Sequence, residues 1–181
     1  MSTLALFGPG LYVYIQKVLF YYYFHIAMDE KKSLRLIGQG LEVFPPEVFD
    51  DEIQVVDLSF NSLSVPNSLL ASMRRLEMLL LPRNKFAQWT LGEMDTLTFL
   101  DLSGNNITAL PAQLRMPKLT FLDLSVNKLT LLPESVGDLQ ALQVLLLDRN
   151  DLTILPGSVG RLKALDRLNV SHNKVSCVCL C

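Results

Sequence analysis

The chain has 181 residues, half of them apolar, and a formal net charge of −2. That length suits one domain with a substantial core, and the slightly acidic balance gives no general attraction to nucleic acid or to an anionic membrane surface. A nucleic-acid reader would carry a clustered basic face; none occurs along this sequence, so no nucleic-acid partner is expected.

Residues 1–28 differ in composition from the rest. Phe7, Tyr12, Tyr14, Phe20, Tyr21, Tyr22, Tyr23 and Phe24 crowd into them. The stretch is nearly long enough to span a bilayer, for which roughly 20 apolar residues suffice. However, Gly8-Pro9-Gly10 would break a helix, and Gln16-Lys17 would fall near mid-membrane, at a cost of a few kcal/mol. A basic n-region and a small-residue cleavage site are also lacking. Three readings stay open: an alternative or spurious extension preceding a start at Met28, an N-terminal cap, and a weak membrane segment. Membrane contact is not the expectation.

From residue 31 to residue 175 one pattern recurs about every 22 residues. A degenerate opening copy uses Leu34, Leu36, Leu41, Phe44 and Pro45, with Gln39 where later copies have asparagine. Ile53, Val56, Leu58, Asn61 and Leu63 follow, then Leu76, Leu79, Leu81, Asn84 and Phe86. The full spelling L-x-x-L-x-L-x-x-N-x-L appears in Leu97 to Ile107, Leu119 to Leu129 and Leu142 to Leu152. The series closes with Leu165, Leu168, Val170, Asn173 and Val175. About seven copies at a fixed period in the 20–29 range predict a solenoid, a curved horseshoe with parallel strands on its concave face and irregular or short helical segments on its convex side. This is an α/β-type repeat.

The spacing has a physical reading. In L-x-L the two leucines of a short strand share a face and the residue between them points the other way. Leu122 and Leu124 should face the core, with Asp123 outward. The chain must then turn, leaving buried backbone groups. An asparagine amide both donates and accepts, so Asn61, Asn84, Asn105, Asn127, Asn150 and Asn173 are expected to form a ladder that satisfies them. The proline after the last leucine suits an extended return. Trp89 sits in a repeat lacking that proline and is expected to plug its interior.

These motifs identify the chain as similar to leucine-rich repeat proteins. Leu132-Pro133-Glu134-Ser135-Val136-Gly137-Asp138-Leu139 and Leu155-Pro156-Gly157-Ser158-Val159-Gly160-Arg161-Leu162 both read L-P-x-x-V-G-x-L. That spelling resembles the intracellular Ras-associated class, represented by Ras-suppressor and Shoc2-like scaffolds. The resemblance implies a cytosolic, non-enzymatic adaptor, often binding a small GTPase or a phosphatase. Leu110 to Pro117 lacks the V-G pair, which puts the partner in doubt. Two other classes of function stay open: a membrane-anchored or secreted recognition protein, and the recognition module of a larger enzyme.

Outward strand positions form two rows. One is Val55, Met78, Phe99, Phe121, Val144 and Arg167; the other is Asp57, Leu80, Asp101, Asp123, Leu146 and Asn169. Beside them run Phe60, Arg83, Gly104, Val126, Arg149 and His172. Solenoids bind with the face their strands line, so the expected protein-binding surface comprises Val55, Met78, Phe99, Phe121, Val144, Asp57, Asp101, Asp123, Arg83 and Arg149. Phe99 and Phe121 are expected to be exposed and central. No P-loop, nucleophile elbow or zinc-protease motif occurs, and no catalytic residue, cofactor or metal is expected. The tail 176–181 alternates Cys177, Cys179 and Cys181, the only cysteines. No cysteine precedes the first repeat, which argues for a reducing, cytoplasmic compartment.

Overall fold

A computed structural model describes residues 32–178. The aromatic segment 1–28 lies outside the described residues, as do Cys179 and Cys181 of the tail. Residues 33–178 belong to one compact unit.

Seven short strands make one parallel sheet in sequence order. They are β1 (Ser33–Arg35), β2 (Val55–Asp57), β3 (Met78–Leu80), β4 (Phe99–Asp101), β5 (Phe121–Asp123), β6 (Val144–Leu146) and β8 (Arg167–Asn169). A two-residue pair, β7 (Ile154–Leu155) with β9 (Cys177–Val178), lies apart. Each expected repeat thus contributes one strand, and the chain folds as a leucine-rich repeat solenoid. The opening copy is a true member: Leu34 pairs with Val56.

The core follows the pattern. Leu79, Leu81, Leu102, Leu124, Leu145 and Leu147 are fully buried. The opening and closing copies are less covered, and core-facing Leu168 of β8 is 39% exposed.

The asparagine ladder is present. Asn127 Nδ2 donates to the carbonyl of Leu124 in its own repeat (3.1 Å) and of Leu102 in the preceding one (3.0 Å). Its Oδ1 accepts the Ile107 N–H at 3.0 Å. Asn84, Asn105, Asn150 and Asn173 make the same bridge one step along. Asn61 reaches back to the degenerate copy, donating to Leu36 O and accepting from Gln39 N and Leu41 N. That copy therefore needs no asparagine of its own, and Gln39 instead donates to the carbonyl of Ile37 at the surface.

The convex side carries short 3-10 turns at Pro46–Phe49, Ser68–Ser72, Glu134–Asp138 and Gly157–Arg161. Pro45, Pro133 and Pro156 precede three of them with φ between −64° and −70° and extended ψ, the geometry proline imposes. The glycine of the first V-G pair, Gly137, has a packing role. A Cβ on Gly137 would lie 2.4 Å from the carbonyl oxygen of Ser158 in the next turn, so these two turns approach as closely as backbone allows. In the returns that follow Asn84 and Asn105 no 3-10 turn forms, and a bridge joins Glu93 and Arg115. Trp89 fills the interior there, edge-on to Phe86 with centroids 5.9 Å apart, and Phe86 in turn meets Phe44 at 6.3 Å.

Two substitutions test this account. Asn127→Ala should lower stability by roughly 1–3 kcal/mol, since it leaves buried backbone groups unpaired. Gly137→Ala should lower it by about 1–3 kcal/mol through overpacking against Ser158. Chemical denaturation of each variant measures both, and an unchanged midpoint would contradict the ladder or the turn packing respectively.

Candidate interaction surface

The sheet brings the expected residues into register. Val55, Met78, Phe99, Phe121, Val144 and Arg167 are successive partners across β2 to β8, as are Asp57, Leu80, Asp101, Asp123, Leu146 and Asn169. Both rows exist as the alternation predicts. Their exposure does not follow the prediction.

Phe99 and Phe121, expected to be exposed, are buried, at 2% and 3% exposure. Their rings stack with centroids 4.3 Å apart and planes 2° from parallel. Parallel pairing in register sets neighbouring side chains about 5 Å apart, so each ring covers one face of the other. Val55 and Met78 in the same row are also buried, while Val144 is half-buried.

The carboxylates have local work. Asp57, Asp101 and Asp123 each accept, through Oδ1, the backbone N–H two residues on, at 3.0, 2.8 and 2.9 Å from Ser59, Ser103 and Ser125. This Asx turn starts the bend out of each strand. Asn169 does the same for Ser171. Asp101 and Asp123, expected on the open face, are buried as well as turn-forming. Among the described residues no group of three His, Cys, Asp or Glu side chains is placed to hold a metal ion.

The third row is the open one. Phe60, Arg83, Val126, Arg149 and His172 all have φ between 53° and 58°, and Gly104 has 68°. The slot lies one residue before each ladder asparagine, where the chain must reverse direction. Left-handed backbone favours glycine and asparagine and is unusual for a β-branched or bulky side chain. Nevertheless Phe60 is 57% exposed and Val126 47% exposed in this slot. The Arg83 guanidinium sits 5.4 Å from the Phe60 ring centroid. Gly104 makes room for it: a Cβ there would lie 3.1 Å from Arg83 Cγ. Phe60, Arg83 and Gly104 thus form one cluster, with an aromatic ring, a cation on its face and a small residue behind.

Of the expected surface, Arg83 and Arg149 stand exposed on this ridge. Phe60 and Val126 join them, although neither was among the residues expected to bind. The signal was in their position, since a slot that suits glycine holds a phenylalanine and a valine.

Residues 117–175 match the family model described as Leucine rich repeat, and residues 95–136 match the model described as Leucine Rich repeats (2 copies). No curated protein matches the sequence. Among solved structures the chain is similar to the functional domain of InlJ from Listeria monocytogenes, which includes a cysteine ladder. That likeness has 24% identity and a TM-score of 0.68, covering 80% of this chain and 31% of the other. It is also similar to an internalin, inlF, from the same organism, with 23% identity and a TM-score of 0.59, covering 70% of this chain and 37% of the other. The chain thus spans about a third of the length of these structures, and the likeness shows the fold.

A double-mutant cycle checks the buried pair. Phe99→Ala and Phe121→Ala, singly and together, should give a coupling of about 0.5–1.5 kcal/mol in denaturation experiments. Additive effects would mean that the rings do not stack in solution.

Proposed function

We propose that this chain, folded as a leucine-rich repeat solenoid, is a non-enzymatic adaptor that binds another protein along the ridge of Phe60, Arg83, Val126 and Arg149. The observation that carries the proposal is the exposed Phe60–Arg83 pair. Aromatic and arginine side chains dominate the energetics of protein interfaces, and a cation already seated on a ring loses little freedom when a partner covers both. Leucine-rich repeat proteins are generally protein-interaction modules, which supports a protein as the ligand. A small GTPase or a phosphatase as partner, and a cytoplasmic site of action, remain parts of the proposal. They are supported by the L-P-x-x-V-G-x-L spelling of two repeats and by the absence of cysteine before residue 177.

The test uses the full chain as bait in a cytosolic extract, followed by affinity measurement with the recovered partner. Phe60→Ala and Arg83→Ala should each weaken binding by about 1–3 kcal/mol with the thermal transition unchanged. Unaltered affinity in both variants would move the contact surface off this ridge.

A further inference from the structure

On the opposite side of the strands, where the chain enters the sheet, a cleft of about 330 Å³ is lined by Gln54, Arg74, Arg75, Glu77, Thr96, Thr98 and Lys118. We propose that this cleft is an anion site for a phosphate monoester, and that it is distinct from the ridge assigned to protein binding.

The charges converge through the register of the repeats. Three residues before the start of β2, β3, β4 and β5 stand Glu52, Arg75, Thr96 and Lys118. Neighbouring strands are about 4.8 Å apart, so Arg75 and Lys118, two steps removed, stand roughly 10 Å apart at the backbone with only Thr96 between them. Arg74 joins them from the turn before β3. Arg75 already pairs with Glu52, so binding a group in that gap falls to Arg74 and Lys118.

The balance of charge favours an anion. The lining holds three cations, Arg74, Arg75 and Lys118, and one carboxylate, Glu77; with Glu52, which pairs with Arg75, the local balance is +1. The whole chain carries −2, so the cleft is a local reversal of sign. Gln54 Nε2 donates to Glu77 Oε1 at 3.0 Å, and Arg75 is paired with Glu52. Arg74 and Lys118 are exposed and have no acidic partner among the described residues. Elsewhere on the solenoid Arg115, Arg161 and Lys174 each meet an aspartate. Above its second pKa, near 6, a phosphate monoester carries close to two negative charges and three acceptor oxygens. Arginine matches such oxygens in a planar fork, and lysine meets them as a point charge. The Thr96 and Thr98 hydroxyls donate to the carbonyls of Leu76 and Glu77. They shape the floor, and binding rests on the cations.

The experiment is a titration of the isotope-labelled full chain at pH 7.5, following the backbone amide signals of Thr96 and Thr98. The probes are inorganic phosphate, a short phosphoserine peptide, the same peptide unphosphorylated, sodium acetate, and sodium chloride at matched ionic strength. Saturable shifts with phosphate or with the phosphoserine peptide are expected, together with at least a tenfold loss of affinity in the Arg74→Gln/Lys118→Gln variant. Both positions are exposed, and an unchanged circular dichroism spectrum confirms the fold. Saturation by the phosphopeptide at lower concentration than by phosphate identifies a polypeptide as the source; equal saturation identifies free phosphate. The proposal is overturned if chloride, acetate or the unphosphorylated peptide reproduces the shifts, or if the double variant binds as the parent does. Arg83→Ala should leave this titration unchanged, which separates its outcome from that of the ridge.

Discussion

The amide of one asparagine per repeat governs the rest of this structure. Stacked strands turn together at their ends, and every turn buries carbonyl and N–H groups that water cannot reach. Each ladder amide satisfies at least three of them across two repeats. Removing the amide would leave those groups unpaired in an apolar interior, where an unmade hydrogen bond is costly. The leucines supply most of the burial, but burial is non-directional. The ladder is what holds all seven strands in a single register, and that register places every outward side chain.

Because side chains at one register position stand about 5 Å apart, each outward row behaves as a line of interacting neighbours. The stack of Phe99 on Phe121, the cation of Arg83 over Phe60 and the bond between Gln54 and Glu77 are three outcomes of the same geometry. Which outcome arises depends on the row. In the strands, neighbours meet face to face. In the left-handed turn slot they splay outward and remain available.

The repeat period, the strand positions, the buried leucines and the ladder partners were legible in the sequence, because each follows from spacing alone. The degenerate first copy could be read as well, since Leu34 and Leu36 keep the interval although Gln39 cannot take the ladder role. The candidate surface was less legible. Alternation says that Phe99 and Asp123 point away from the core; it does not say whether something lies against them. Burial on that face depends on contacts between residues more than twenty positions apart, and Asp57, Asp101 and Asp123 turned out to serve their own turns. The cleft at Arg74 and Lys118 escaped notice because its residues come from three repeats and share no motif.

The ladder bonds join side-chain amides to backbone groups only. An asparagine therefore recognises its neighbouring repeat without regard to which side chains that repeat carries. A copy could be lost or duplicated between two ladder asparagines, such as Asn105 and Asn127, and the amide on either side would find the same carbonyl and the same N–H. Repeat number is in this sense a free variable for the scaffold. It is not free for recognition, since adding or removing one copy shifts every outward residue beyond it by one step and brings together side chains that now stand apart.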